Sequence, residues 1–275
     1  MDFDLRKLQM TQLEILCEVK RVCKEQNISF FLYGGTLLGA IRHKGFIPWD
    51  DDLDIGMLRT DYERFIRVAP KMLKPKYVIQ TWKNDQGYGW PFMKVHKRGT
   101  ICKEIISADV NKISGIYIDI FPLDTFPDEE EKQKAQGKRI EYFRYLSLMK
   151  CGYKQWNVGG SRSVKKYIQY SPFRILTRFY SKDKIIEEYE KWATKYNSCP
   201  QYARLFPQSI RHYGTLAVPR VDFERTVPVL FENEEFPAPL GYENYLVSAY
   251  GDYMTPPPPD ERANRHGLAI VDFGE

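Results

Sequence analysis

The spacing of hydrophobic and polar positions divides the first part of the chain into a helix, a strand and a second helix. Apolar residues recur at helical spacing over residues 4–26, which predicts an amphipathic helix that ends near Asn27. The apolar positions are Leu5, Leu8, Leu13, Leu16, Val19 and Val22. Residues 29–33 are nearly all apolar and predict a short buried strand. This strand leads into a glycine turn and a short helix over residues 34–42.

The following segments alternate between extended and helical patterns. Residues 49–57 predict an acidic strand, and residues 59–74 predict a helix. Further apolar or alternating β patterns cover residues 77–81, 92–97, 100–104 and 115–121. These patterns indicate a mixed α/β core.

The pattern becomes mainly helical after Pro127. Acidic residues at 128–131 open a long predicted helix that reaches about Lys150, as suits the positive end of a helix dipole. Further helices are predicted over residues 163–180, 182–197 and 242–250, with strands within 215–236 and an extended proline segment at 256–259. The whole pattern predicts an α+β fold, with a mixed-sheet core over residues 1–126 and a helical and C-terminal region over 127–275 packed on it.

Composition excludes several classes of protein. With 275 residues, 43% of them hydrophobic and 28% charged, the chain can form a sizeable core and is not of the disordered type. The formal net charge of +5 mildly favours anionic partners. No apolar run reaches membrane-spanning length, and the N-terminus lacks a secretory pattern, so we expect a soluble, cytoplasmic protein. Five scattered cysteines and four dispersed histidines argue against disulfides and zinc, so any metal should be bound by oxygen.

Two aspartates two residues apart are the first candidates for chemistry. On a strand, Asp52 and Asp54 would point to the same face. Two carboxylates about 5 Å apart repel by about 3 kcal/mol at an effective dielectric constant near 20, and a bound divalent cation would reverse this cost. Oxygen ligands predict Mg²⁺ or Mn²⁺. The alternative is a solvated acidic turn, and the pattern by itself is weak evidence.

Two other features lie near this pair in the predicted core. The turn formed by Gly34, Gly35 and Thr36 joins a strand to a helix, where backbone N–H groups can hold phosphate oxygens. Two glycines can also simply permit a tight turn. Asp119 is an isolated acid in an apolar strand, where ionisation is costly without a partner, and the same metal site is its most economical partner.

These features together resemble the pattern of the nucleotidyltransferase fold. They are a strand followed by a glycine turn and a helix, then two aspartates two residues apart, and later a single acid in an apolar strand. Residues 32–39, 42–55 and 118–124 closely resemble the LicD family, which includes fukutin-like proteins. The tail, with Tyr250–Met254, two prolines, Arg262 and His266, is also similar to that family. The likeness spans nearly the whole chain and is least distinctive between about 128 and 210.

The resemblance implies a metal-dependent phosphotransferase. Its reaction would move phosphocholine, or a related phospho-alcohol, from a CDP-linked donor such as CDP-choline to a sugar hydroxyl of a cell-surface glycan or teichoic acid precursor. By this resemblance Asp52 and Asp54 are the metal pair, Asp119 is the third carboxylate, and Gly34, Gly35 and Thr36 form the phosphate turn. The role of Asp119, as metal ligand or as general base, stays open. Region 127–275 would complete the donor and acceptor site.

Further residues are candidates for substrate contacts. Arg42, His43 and Lys44 follow the predicted phosphate helix, although a solvated basic helix end explains them as well. Trp49 and other aromatic residues could hold a choline ammonium group, although most aromatic residues simply fill cores. Arg262 and His266 could close over the site as phosphate contacts, with a plain surface tail as the alternative.

Other functions and a membrane contact remain open. A nucleotidyltransferase that attaches a whole nucleotide to a small molecule or protein would use the same glycines and acids. A non-catalytic glycan- or nucleotide-binding module is a second alternative, and no recognisable nucleic-acid module is present. The basic, amphipathic stretch Arg162–Lys184 could rest on anionic lipid at the cytosolic face of a membrane, near a lipid-linked acceptor, or could be an ordinary helix packed on the core.

Overall fold

The computed structural model describes residues 3–155, 161–209, 212–262 and 267–274, and of residues 161–163 it describes the backbone alone. The helices in this part of the chain are α1 (Leu5–Gln26), α2 (Gly34–His43), α3 (Arg59–Met72), α4 (Glu130–Lys150), α5 (Ser161–Leu176), α6 (Lys182–Ala193) and α7 (Tyr242–Tyr250). The strands are β1 (Phe31–Leu32), β2 (Asp54–Leu58), β3 (Tyr77–Gln80), β4 (Met93–Lys97), β5 (Ile101–Glu104), β6 (Tyr117–Phe126), β7 (Arg204–Pro207), β8 (Val218–Pro219), β9 (Thr226–Phe231), β10 (Glu234–Pro239) and β11 (Leu268–Asp272). The predicted α+β class is confirmed.

A mixed sheet forms the centre of the fold. Its strands lie in the order β1-β2-β6-β4-β3, and β2 and β6 are parallel while the other neighbours are antiparallel. The long strand β6 also pairs through its last four residues with β7, which pairs with β8. Strands from the region after residue 127 therefore extend the central sheet. The other described strands form two separate two-stranded antiparallel sheets, β9 with β10 and β11 with β5.

The two faces of β6 have different roles. Ile118 and Ile120 are fully buried on the face that α1 and α3 cover. Tyr117, Asp119 and Phe121 alternate with them and line a cleft on the opposite face. The alternation follows from the two-residue period of a strand. The strand therefore supplies the core with one set of side chains and the cleft with the other.

Helix α1 matches its predicted bounds because the sequence supplies both ends. Asp4 caps the first turn by accepting a hydrogen bond from the Lys7 backbone N–H at 3.0 Å. Asn27 ends the helix in the left-handed conformation, with φ of 51°. Two buried glutamines on its inner side, Gln9 and Gln12, donate to the backbone carbonyls of Asp50 and Asp51.

The acidic strand was predicted too early in the sequence. Residues 50–53 are not in a strand, and β2 begins only at Asp54. The side-chain amides of Gln9 and Gln12 take up the carbonyls of this segment, so its backbone needs no strand partner there. The argument that Asp52 and Asp54 share a strand face was therefore wrong, although both line the same cleft.

A buried ion pair ties the sheet to α3 and to the helical region. Arg59 at the start of α3 donates from Nε to Asp124 Oδ1 at 2.8 Å, and a second nitrogen pairs with Oδ2. Asp124, which is fully buried on β6, also accepts from Asn197 at 2.7 Å and from Gln208 at 2.9 Å. Both carboxylate oxygens are thus satisfied, as a buried charge requires.

Replacing Asp124 with Ala should lower the free energy of unfolding by about 3–5 kcal/mol, because the largely buried Arg59 guanidinium would lose its two-pronged partner and keep, of the carboxylates in the described residues, only that of Glu63 at 3.3 Å. Urea unfolding monitored by circular dichroism measures the change. Asp109→Ala is the matched control, since Asp109 forms an ion pair with Lys154 at the surface and its removal should leave the midpoint unchanged. Equal midpoints for the two variants would contradict the role of Asp124.

Candidate active site

Two aspartates that are far apart in sequence lie side by side at the centre of the cleft. Asp54, the first residue of β2, is paired in register with Asp119 on the parallel strand β6. Side chains at paired positions of neighbouring strands point to the same face, and the strands lie about 5 Å apart. Asp119 also donates its backbone N–H to Leu53 O at 2.9 Å, which fixes the start of this pairing. The sheet therefore brings the two carboxylates together.

The cleft has a volume of about 1020 Å³. All three predicted metal carboxylates, Asp52, Asp54 and Asp119, line it. The C-terminal region supplies part of its wall. The lining residues from that region are Ser209, Tyr245, Tyr250, Asp252, Tyr253, Thr255, Pro257, Glu261 and Gly267.

The glycine turn lies directly against the carboxylates. Gly34 has φ of +56°, and a Cβ atom there would lie 3.0 Å from Asp54 Oδ2. A Cβ atom on Gly35 would lie 2.8 Å from Asp50 Oδ2. The glycines thus permit both the turn and the close approach of two acidic side chains to the first turn of α2. Asp50 was not among the predicted site residues, and its place here is a feature that the sequence analysis missed.

Thr36 holds the backbone of the site. It is buried, and its hydroxyl accepts a hydrogen bond from the Asp54 backbone N–H at 2.8 Å. The bond joins the first turn of α2 to the first residue of β2. Thr36 therefore positions Asp54 in this structure.

Lys94 is the principal site residue that the sequence analysis did not single out. It is paired in register with Asp119 across β4 and β6, and its side chain is almost completely buried. Its Nζ atom lies 2.9 Å from Asp119 Oδ1 and 2.9 Å from Glu104 Oε1. The ammonium group also lies 3.4 Å from the centroid of the Tyr117 ring. The available signal was a lysine inside an apolar predicted strand. The register that pairs this strand with the strand of Asp119 is not visible in the sequence.

Lys94, Asp119 and Glu104 shift one another's pKa values. Burial raises the pKa of Asp119 to about 6, although Lys94 opposes the shift. Burial acts in the same direction on Glu104, but Lys94, Lys112 and a hydrogen bond from Tyr117 outweigh it and lower the pKa of Glu104 to about 2. The pKa of Lys94 is raised because the two carboxylates outweigh its own burial. The lysine is therefore a permanent cation between two acids.

The carboxylate oxygens of the cleft are suitable ligands for a hard divalent cation. Carboxylate oxygens are the ligands that Mg²⁺ and Mn²⁺ prefer, and Asp52, Asp54 and Asp119 supply them in one cleft. In the described ranges, no three His, Cys, Asp or Glu side chains are grouped closely enough to hold an ion. Asp119 is instead paired with Lys94. These residues supply the kind of ligand atom that the ion prefers, but the described side chains do not form a three-ligand site in advance.

The predicted substrate contacts after α2 separate into two groups. Arg42 and Trp49 line the cleft, whereas Lys44 is exposed at the left-handed end of α2. Arg42 donates from Nη1 to the Tyr253 carbonyl at 2.9 Å and from Nε to His43 Nε2 at 2.9 Å. It therefore connects α2 to the C-terminal tail.

Three cationic or titratable groups meet at this end of the cleft. The Arg262 guanidinium lies 5.1 Å from the centroid of the Trp49 ring, and the His43 ring packs edge-on against the same tryptophan. Burial, Arg42 and Arg262 lower the pKa of His43, which agrees with Nε2 acting as an acceptor from Arg42. His266 lies outside the described residues. Of the two predicted tail contacts, Arg262 is therefore the one that can be placed beside the site.

Comparison with known proteins assigns the family. Residues 27–147 match the family model described as LicD/FKTN/FKRP, nucleotidyltransferase domain. The chain is 30% identical over 264 residues to the lipopolysaccharide cholinephosphotransferase LicD of Haemophilus influenzae, an alignment that covers 95% of this chain and 96% of the relative. The chain belongs to the LicD family.

Other relatives share shorter segments with this LicD family member. The ribitol 5-phosphate transferase FKRP of Homo sapiens is 45% identical over 40 residues, which is 14% of this chain and 8% of FKRP. An uncharacterized protein of Rickettsia typhi is 30% identical over 130 residues, or 45% of this chain and 38% of that protein. The matched domain contains the glycine turn and all three predicted metal carboxylates, whereas Arg262 and His266 lie beyond it.

Replacing Lys94 with Met should lower the free energy of unfolding by about 3–5 kcal/mol, because two buried carboxylates would lose their common cation. Urea unfolding at pH 7 in the presence of a chelator measures this loss. Lys97→Met on the same strand is the control. It removes a partly exposed pair with Glu14, which keeps Lys76, and should cost about 1 kcal/mol or less. A Lys94→Met protein as stable as the Lys97→Met protein would show that the lysine is not needed to balance the acids.

Proposed function

We propose that this protein is a transferase that moves phosphocholine, or a related phospho-alcohol, from a CDP-linked donor to a sugar hydroxyl of a cell-surface glycan or teichoic acid precursor. The observation that carries the proposal is the registered pair Asp54 and Asp119, which lies against the glycine turn in a large cleft. Similarity to a lipopolysaccharide cholinephosphotransferase over almost the whole chain supports the reaction class. Similarity to a ribitol 5-phosphate transferase over a short segment supports transfer of a phospho-alcohol in general.

The charge of the cleft supports a requirement for a metal ion. Its described lining contains seven carboxylates and one arginine, Arg42. The carboxylates belong to Asp50, Asp52, Asp54, Glu104, Asp119, Asp252 and Glu261. A pyrophosphate would be repelled by these acids unless cations lay between them. We therefore include Mg²⁺ or Mn²⁺ in the proposal, with Asp52, Asp54 and Asp119 as the residues that would hold it.

The residues of the chain have distinct parts in the proposed reaction. A bound divalent ion would lower the charge on the donor phosphates and stabilise the leaving CMP. Thr36 and Leu53 hold the backbone positions of Asp54 and Asp119, so the carboxylates need little rearrangement when the donor binds. Asp119 would either share the ion or accept the proton of the attacking hydroxyl. Arg42, which lines the same cleft, would contact a donor phosphate.

The same cleft suits a quaternary ammonium group. Trp49 and Trp90 line it, and cations bind to the faces of tryptophan rings. The face of Trp49 already lies beside the guanidinium of Arg262, which is the same kind of contact. Trp82 and Tyr88, two other aromatic residues near the catalytic strands in sequence, are buried in the core and are not part of the cleft lining. A choline contact is therefore proposed for Trp49.

The main rival reaction is transfer of a whole nucleotide to a small molecule or protein. It would use the same turn and acids but would break the bond at the α-phosphorus. Incubation of the purified protein with Mg²⁺, a panel of CDP-alcohols, nucleoside triphosphates and candidate lipid-linked sugars distinguishes the two reactions. Release of CMP together with an acceptor sugar that carries the phospho-alcohol supports the proposal. Release of pyrophosphate from a nucleoside triphosphate would contradict it, and tight binding of donor without any turnover would favour a non-catalytic module.

Asp54→Asn should lower the rate of CMP release by about a hundredfold or more, because it removes a metal-ligand charge from the centre of the cleft. The fold should remain intact, since the amide has nearly the same shape. Asp128→Asn, at an exposed position, is the control and should keep the parent rate. Near-normal turnover of Asp54→Asn at saturating Mg²⁺ would count decisively against the assigned role.

Gly34→Ala tests the close approach of the glycine turn to Asp54. Gly34 and Gly99 both have positive φ, so an alanine at either position should cost about 1–2 kcal/mol of stability. A Cβ atom at Gly99 would meet nothing within 4 Å, whereas one at Gly34 would press on Asp54 Oδ2. Loss of CMP release should therefore occur in Gly34→Ala alone. The idea fails if both variants keep equal activity after correction for the folded fraction.

A further inference from the structure

The outer face of α5 presents apolar side chains to solvent. Val164, Ile168 and Ile175 are 61–66% exposed, and Phe179, just after the helix, is 78% exposed. Positions 164, 168 and 175 are four and seven residues apart, so they form one stripe along the helix. Isolated exposed apolar residues are common, but an aligned stripe on a single helix indicates an interaction surface.

The opposite face of α5 anchors the helix to the protein. Tyr170 is buried and packs edge-on against Tyr145 of α4, and Phe173 contacts both Tyr142 and Tyr145. The core contacts of α5 are therefore made by residues other than the stripe. The stripe can be changed without removing the packing that holds the helix.

Basic side chains flank the apolar stripe. Lys165 lies on one side of it, and Arg174 and Arg178 lie on the other, all three exposed. The sequence contains no Asp or Glu from residue 161 to 182. The surface is smaller than the sequence analysis expected, because Lys182 is buried against the carbonyls of Asp85 and Gln86, and Lys184 pairs with Glu187 and Glu188.

We propose that this face of α5 docks on the surface of an anionic phospholipid bilayer. A convex helix with an apolar stripe between basic residues matches the boundary between acyl chains and anionic headgroups. A nucleic acid would match the basic residues but not the apolar stripe. In the described residues, no helix is long and apolar enough to cross a membrane, so the contact would be peripheral.

The position of α5 gives this contact a use. Helix α4 contacts α5 through Tyr142 and Tyr145. Further along the same helix, Ser147 and Leu148 pack against Gly89. The next residue, Trp90, lines the cleft. A bilayer bound to α5 would thus be linked through one helix to the wall of the cleft. This use rests on the proposed function: if its glycan acceptor is carried on a lipid, docking would keep enzyme and acceptor on the same surface.

The full-length protein is tested by sedimentation with vesicles of pure phosphatidylcholine and of phosphatidylcholine with phosphatidylglycerol. Binding should require the anionic lipid and should weaken sharply between 0.1 M and 1 M salt, where the screening length falls from about 10 Å to about 3 Å. Lys165→Glu/Arg174→Glu/Arg178→Glu should weaken binding by about a hundredfold or more, since each basic residue near an anionic surface contributes about fivefold. Ile168→Ser/Ile175→Ser/Phe179→Ser should weaken it independently and leave the salt dependence in place.

A matched charge control separates this surface from a general charge effect. Lys134→Glu/Lys138→Glu/Lys191→Glu changes three exposed lysines outside α5 and lowers the net charge by the same six units. It should bind vesicles like the parent protein. Equal loss in both charge variants, salt-insensitive binding, or no anionic-vesicle binding by the parent would overturn the proposal. So would a parent dimer that the serine variant dissociates, since a second copy would then cover the stripe. Vesicle binding is measured without turnover, so its failure and failure of the proposed transfer reaction are distinguishable.

Discussion

The parallel pairing of β2 with β6 is the constraint on which the site depends. A slip of one residue in a strand turns every side chain to the opposite face, so it would move Asp54 out of the cleft and Ile55 into it. The register is held from several directions. Thr36 accepts from the Asp54 backbone, the Asp119 backbone donates to Leu53, and Ile55 and Ile120 are fully buried on the far face. The chemistry of the cleft and the packing of the core therefore require the same register.

Placing many acids in one cleft creates an electrostatic problem that the protein solves only in part. Lys94 neutralises charge between Asp119 and Glu104, and Arg42 adds one positive charge to the cleft lining. Asp50 and Asp54 lie against the first turn of α2, where the helix dipole offsets a fraction of a charge. The remaining repulsion favours any ligand that brings positive charge. A divalent ion and a quaternary ammonium group are two such ligands, and a CDP-linked choline donor would bring them together.

The sequence predicts the parts of this site better than it predicts how they are joined. Asp54, Asp119 and the glycine turn follow from local patterns, because two acids two residues apart, a lone acid in an apolar segment and a strand followed by glycines are all visible in the sequence. The partners of those residues are not, since Lys94 meets Asp119 only through the pairing of β4 with β6, and Glu104 contacts Lys94 from β5. The early start predicted for the acidic strand has a similar cause. Residues 50–51 are held by glutamines of α1 some 40 positions earlier, and no local pattern records that contact.

The net charge of +5 conceals a separation of charge across the molecule. The cleft lining is strongly acidic, whereas the outer face of α5 and its flanks carry basic residues without any acid in that stretch. Because the two signs of charge lie on different surfaces, each surface would attract a different class of ligand. An anionic surface would be attracted to α5 and repelled from an empty cleft. Cations bound in the cleft would reverse its preference, so that an anionic donor could enter while the bilayer stayed at α5. Electrostatics would therefore direct the proposed donor and the proposed bilayer to different surfaces of the molecule.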